Sequence, residues 1–133
     1  TVVLSVAPVL QEMQIADQIR HHAKHPLINL GGCPLGLGLL KSLFAGADLV
    51  IANDTGPRHI AIALKRKVVT LFGPNNPQWT QTGYGDEIQI IGTGPCVPCD
   101  KPVCRQTRHY CMESITVEQV FEAAQKQLSG GRA

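Results

Sequence analysis

The stretch Asn53-Asp54-Thr55-Gly56-Pro57-Arg58-His59 gathers a carboxylate, a hydroxyl, two cationic or basic groups and a glycine within seven residues of this 133-residue chain. Proline suits the first turn of a helix, where its missing N–H costs nothing. A turn of this kind, followed by a helix, presents unpaired backbone N–H groups and a positive dipole end, which together make an anion site. Gly56 lets a ligand or another backbone come close. Thr55 adds a hydroxyl, and His59 falls in the first helical turn and can face the same ligand. A plainer account has Asp54 and Thr55 cap the helix while His59 packs. Asn53-Asp54-Thr55 also spells a glycosylation sequon, but a tight turn after a buried strand is a poor acceptor. A second loop, Gly73-Pro74-Asn75-Asn76-Pro77, is expected beside the first. Two Gly/Pro-rich loops at one sheet edge make a crevice for a phosphate-bearing ligand.

The elements around these loops follow from apolar spacing. Residues 1–6 form a β-branched run that predicts a buried strand. Leu10, Met13, Ala16, Ile19 and Ala23 recur at helical spacing up to Lys24, with His21, His22 and Lys24 matching the negative end of the dipole. A brief strand at 27–30 leads to a helix carrying Leu35, Leu39, Leu40, Leu43 and Phe44, which ends near Gly46. Strands are expected at 48–52, 68–72 and 87–91, with a short helix at 57–64 and a loop at 73–85. The strand at 48–52 lacks polar alternation and is expected to be buried on both faces. Thr116 and Gln119 form a capping box at the start of the last helix, with Ile115 and Val120 as a hydrophobic staple. Strand–helix alternation of this kind means an α/β domain with a parallel sheet, whose ligands bind outside the carboxyl ends of the strands.

Composition narrows the function classes. Hydrophobic residues make up 44% and charged residues 17%, enough apolar material for a core. A net charge of +2 is too mild for a nucleic-acid surface. No apolar run reaches the length of a transmembrane segment, and no signal peptide is visible. The chain opens in mid-pattern at Thr1-Val2-Val3-Leu4 without an initiator Met, so a fragment of a longer protein is expected.

The string from Ala47 to Ala61, with Asp54-Thr55-Gly56-Pro57-Arg58-His59-Ile60-Ala61 at its heart, together with Val68-Val69-Thr70-Leu71-Phe72-Gly73-Pro74, resembles the donor-binding domain of glycosyltransferase family 9, the heptosyltransferases of the lipopolysaccharide inner core. The resemblance extends over nearly the whole chain, including the cysteine segment and Ile115-Thr116-Val117-Glu118. It implies a Rossmann-like parallel sheet with helices on both faces, the C-terminal half of a GT-B glycosyltransferase. It implies ADP-heptose as donor, with Asp54 on sugar hydroxyls, Thr55 and Gly56 toward the diphosphate, and Pro57, His59, Gly73 and Pro74 around them. Glu12, in Glu12-Met13-Gln14-Ile15-Ala16, would face the adenosine ribose; a solvated helix-start glutamate is the alternative. The loop Ala7-Pro8-Val9-Leu10 departs from the family's usual Gly-Gly-Pro.

On this resemblance, residues 1–128 are one nucleotide-sugar-binding domain with a Cys-rich loop at 95–112, and 129–133 are a disordered tail. The family's acceptor domain, with its catalytic base, and the first strand of the donor domain are expected to lie outside this sequence. No catalytic residue is therefore expected here, and the fragment alone is expected to be inactive. The intact enzyme would perform an inverting displacement at the anomeric carbon, toward a lipid A–core acceptor, in the cytoplasm or at the inner face of the inner membrane. No cofactor is required for that chemistry.

Four of the five cysteines, Cys96, Cys99, Cys104 and Cys111, fall in one segment. Four soft ligands can hold a structural zinc tetrahedrally; His109 could replace one, and reduced thiols or a disulfide are alternatives. Cys33 stands alone and is expected to be buried. Lys65-Arg66-Lys67 reads as a solvated turn, and Trp79 either lines the crevice or pins its loop. Two other readings compete: the donor domain of another GT-B enzyme, such as a UDP-sugar transferase or epimerase, and a non-catalytic, zinc-stabilised interaction module.

Overall fold

The structure is a computed structural model that describes residues 1–130. The chain separates into two compact units, Thr1–Leu39 and the residues from Leu40 onward.

The first unit pairs β1 (Val2–Leu4) with β2 (Leu27–Asn29) in parallel, with α1 (Leu10–His22) as the crossover. Ala16 is the side chain of α1 that is fully buried, whereas Leu10 and Ile19 stay exposed. The N-terminal strand is shorter than the expected 1–6, and it is not buried: Val2 is 64% exposed. In a two-stranded ribbon it has one strand neighbour, β2, too little to bury it. His21 and His22 occupy the last turn of α1 as charge matching predicts, joined there by Arg20, whereas the helix stops at His22 and leaves Lys24 beyond its end; His22 Nδ1 lies 2.8 Å from the Gln18 carbonyl oxygen. Cys33 is exposed rather than buried, because it sits in the turn after β2, where Cys33 N–H donates to the Leu30 carbonyl.

The second unit is a three-stranded parallel sheet in the order β3 (Val50–Asn53), β4 (Val68–Phe72), β5 (Glu87–Ile91). Helix α2 (Leu37–Ala45) leads into β3, and α3 (Gly56–Ala63) crosses from β3 to β4. Register aligns Val50 with Val68 and Val68 with Glu87. Central β4 is the strand buried on both faces, with Val68, Val69, Thr70 and Phe72 fully covered. The expectation of double burial for 48–52 fails: β3 is an edge strand, and Ile51 is 47% exposed. Apolar sequence alone does not distinguish an edge strand from a central one.

The core joins Phe44, Val50, Ala61 and Val68, with Leu40, Leu43, Ile60 and Ile62 packed around them. On the sheet's other business side, α5 (Val117–Ser129) is started by the predicted capping box: Gln119 N–H donates to Thr116 Oγ1, and Thr116 N–H donates to Gln119 Oε1. Buried Gln127 then fastens α5 to the sheet, its amide donating to the carbonyls of Val68 and Asp86. Lys67 donates to the Gln127 carbonyl at 2.7 Å, and Arg66 to those of Leu64 and Ala45, so the basic turn at 65–67 pins helix ends as well as meeting solvent. An apolar hollow of about 410 Å³, lined by Ile51, Leu71, Met112, Ile115, Val120 and Phe121 among others, lies against α5. The expected tail begins later than 129, since Ser129 closes α5; the end of that tail, 131–133, lies outside the described residues. Within the expected loop at 73–85, Pro77–Thr80 forms a 3-10 turn capped by the Asn76 side chain. A short helix, α4 (Tyr110–Glu113), interrupts the cysteine segment and was not foreseen.

Candidate functional site: the turn after β3

The carboxyl end of β3 delivers Asn53 and Asp54 into the turn that starts α3. Thr55 is the N-cap, with extended backbone, and Pro57 occupies the first turn. Thr55 does not cap through its side chain. Its hydroxyl donates back to the Asn53 carbonyl at 3.3 Å, while its own carbonyl accepts from Arg58 N–H at 3.1 Å. Around Gly56, a Cβ would meet no heavy atom within 4 Å, so the approach to this helix start is open. His59 is half-exposed, with Nε2 3.9 Å from Asp54 Oδ1. The structure thus gathers Asp54, Thr55, Gly56, Pro57 and His59 in one turn.

Asp54 itself is almost wholly buried. Its Oδ1 accepts from Arg58 Nη1 at 2.9 Å. Its Oδ2 accepts from Thr80 Oγ1 at 3.1 Å and, more weakly, from Asn75 Nδ2 at 3.4 Å. Asn75 belongs to the loop that follows β4, so Gly73 and Pro74 are tied to the same neighbourhood through it.

Arg58 is the largest fully buried side chain of the chain's described residues, and sequence reasoning assigned it no role. Its Nε and Nη2 donate to the two oxygens of Glu87 at 2.6 and 3.0 Å, and Nη1 also reaches the Thr80 carbonyl at 3.0 Å. The guanidinium lies 5.1 Å from the Phe72 ring centroid. Glu87 accepts further from Thr70 Oγ1 at 2.5 Å and Gln89 Nε2 at 2.9 Å. Burial would push the Glu87 carboxyl up; hydrogen bonds from Arg58, Thr70 and Gln89 and the charge of Arg58 outweigh it and hold the carboxyl below its ordinary value. On Arg58, the bonds and charges of Glu87 and Asp54 outweigh burial and hold the cation more firmly than usual. The available signal was an arginine one position after the helix-start proline, with a glutamate opening a strand that otherwise reads as apolar.

Glu12 belongs to the first unit. Its Oε2 accepts from Ala7 N–H at 2.8 Å, closing the loop before α1, which has no side-chain cap of its own. Trp79 stands 75% exposed on the 3-10 turn.

The cysteine segment folds back onto the loop after β4. The N–H groups of Cys99 and Asp100 both donate to the Pro74 carbonyl at 3.0 Å, and Asp100 Oδ1 accepts from Asn76 N–H at 2.8 Å. All five cysteines are free thiols. Burial, reinforced by Cys99, Cys104 and Cys111, pushes the Cys96 thiol up. Among the described residues no group of three or more His, Cys, Asp or Glu is arranged to hold a metal ion. Cys104 is exposed and its sulfur turns to the Arg108 carbonyl at 3.8 Å, while Cys111 is buried.

A parallel α/β sheet with an open strand–turn–helix at its carboxyl edge defines a class of ligand-binding α/β units. The glycosyltransferase family 9 (heptosyltransferase) profile matches residues 1–109, and the chain belongs to that family. It is 40% identical over 114 residues to lipooligosaccharide heptosyltransferase 2 of Haemophilus influenzae, covering 81% of this chain and 32% of that protein. It is 37% identical over 91 residues to lipopolysaccharide heptosyltransferase 1 of Pseudomonas aeruginosa, covering 68% of this chain and 24% of that one. Among solved structures, the glycosyl transferase family 9 protein of Veillonella parvula superposes with a TM-score of 0.76 at 23% identity, over 92% of this chain and 35% of that one. The ADP-heptose LPS heptosyltransferase II of E. coli superposes with a TM-score of 0.69 at 22% identity, over 90% and 34%. The chain therefore spans about a quarter to a third of the relatives it matches. No helix among the described residues is long and apolar enough to cross a membrane.

Proposed function

We propose that this chain is the donor-binding part of a heptosyltransferase-like enzyme, taking ADP-heptose at the turn after β3 for transfer to the lipopolysaccharide inner core. The observation that carries the reading is the open helix start at Gly56, with Thr55 before it and His59 half-exposed beside it, in a chain of glycosyltransferase family 9. First-turn N–H groups and the dipole suit a diphosphate. The same groups would stabilise the ADP that departs when an acceptor hydroxyl displaces it at the anomeric carbon. The base that activates this hydroxyl, and the lipid A–core acceptor, belong on this reading to polypeptide outside these residues, working on the cytoplasmic side.

The test is calorimetric titration of the full-length protein with ADP, and with UDP as control. Tight binding of ADP and weak binding of UDP, both lost in His59→Ala, supports the reading. Equal binding of both nucleotides moves the assignment to another nucleotide-sugar enzyme, and binding of neither overturns it.

A further inference from the structure

The donor reading above leaves the buried Arg58 without a task, and the hydrogen bonds around it supply one. A cation at the first turn of a helix faces the wrong end of the dipole, and burying it fully is costly unless every donor is met. Here three different segments accept from it, and a fourth joins through one of them. Glu87 comes from the start of β5, Asp54 from the turn after β3, Thr80 from the 3-10 turn, and Asn75 joins through Asp54 from the loop after β4. A lysine could not repeat this, because one ammonium cannot fork onto Glu87 and reach Asp54 as well. Replacing Arg58 by a neutral residue would leave two buried carboxylates without the cation they share, and one of them would take up a proton or turn away.

Both oxygens of Asp54 are engaged, but unequally. Arg58 and Thr80 hold it at 2.9 and 3.1 Å, while Asn75 sits at 3.4 Å. A donor hydroxyl that seeks Asp54 would therefore displace the Asn75 amide and leave the grip of Arg58 intact. We propose that Arg58 is a positioning residue for the nucleotide-sugar donor, resting on the donor-site reading: through Asp54 and Glu87 it holds the turn at 53–56 in the one arrangement that Thr55, Gly56 and His59 use to meet the diphosphate. It touches no substrate itself. Its effect is on the geometry of the turn, and a displacement of about 1 Å there is enough to cost donor affinity on the order of tenfold or more.

The experiment uses the full-length enzyme, with ADP as the probe and with steady-state transfer kinetics. The variants are Arg58→Lys, Asp54→Asn and the double variant, all measured below their melting temperatures. Arg58→Lys should weaken ADP binding and raise the donor KM about tenfold, with the acceptor KM unmoved. Adding Asp54→Asn to it should change ADP affinity by less than about twofold, since ADP lacks the transferred sugar that would touch Asp54 and both residues then act through one network. A role in folding alone would lower kcat with the amount of folded enzyme and leave both KM values in place. ADP binding by folded Arg58→Lys within about twofold of wild type overturns the proposal and leaves the donor reading standing. Failure of the wild type to bind ADP overturns both. Should Arg58→Lys not fold, Thr80→Val and Glu87→Gln decide: weakening by about threefold or more in either supports the proposal, and unchanged binding in both overturns it.

Discussion

Arg58 and Glu87, one in the first turn of α3 and the other at the start of β5, are locked by two hydrogen bonds of 2.6 and 3.0 Å between a fully buried guanidinium and a carboxylate that is almost as deeply buried. The pair ties the crossover helix to the edge of the sheet. Because the folded carboxyl of Glu87 sits below its ordinary value, the folded protein binds that proton less readily than the unfolded chain. The stabilisation is therefore present above the ordinary glutamate range and is lost as pH falls through the lowered folded value. The melting temperature should drop on acidification below about pH 4.5. In Glu87→Gln the starting stability should be lower and this part of the acid dependence should flatten. Thermal melts of both proteins across pH 3–7 check it.

Asp54 and His59 should separate stability from binding. Asp54→Ala removes one partner of a buried ion pair and leaves Arg58 short of an acceptor, at a cost of about 3–5 kcal/mol. His59 is half-exposed, so His59→Ala should cost less than about 1 kcal/mol while weakening the nucleotide. Urea unfolding paired with ADP titration reads both; a large loss of stability in His59→Ala would show that its ring packs rather than binds.

Two glycines predict opposite outcomes. A Cβ on Gly92 would overlap the backbone carbonyl of Cys111, which cannot swing aside. Gly92→Ala should destabilise by about 2–4 kcal/mol. A Cβ on Gly73 would meet the Met112 sulfur at 2.5 Å, the far end of a flexible side chain. Gly73→Ala should cost about 1 kcal/mol or less, because methionine repacks. Equilibrium unfolding of the two variants side by side tests the contrast.

The thiols should report their own surroundings. Cys33 and Cys104 are exposed and should react first with a thiol reagent, whereas Cys111, buried, should wait for unfolding. Cys96, its thiol pushed up by burial and by its neighbours, should lag behind Cys104. Protection of Cys96, Cys99, Cys104 and Cys111 together, with only Cys33 reacting and one zinc per chain by elemental analysis, would instead mean that metal binding rearranges the segment.

Local rules were readable from the residues, and long-range pairings were not. The Thr116–Gln119 capping box and the span of β4 at Val68–Phe72 follow from short patterns, and the structure shows both. The turn from Asp54 to His59 was legible because its signal lies in consecutive residues. Arg58 was missed because its meaning depends on Glu87, which only the β4–β5 register brings close. The exposure of Ile51 and Val2 was missed for a related reason, since an apolar strand carries no mark of how many neighbours it will have. Helix α4 is a single turn, too short for periodicity to register.

The place of β3 at the end of its three-stranded sheet also bears on how this polypeptide behaves in a tube. Its four residues end a sheet whose strands all run the same way, and Ile51 lies open beside the apolar hollow under α5. Backbone donors and acceptors along such a border recruit any extended segment that passes, from a neighbouring molecule as readily as from the same one. Handled as 133 residues, the protein should be sensitive to its own concentration, and a lysine at position 51 is the gatekeeper that would quiet it.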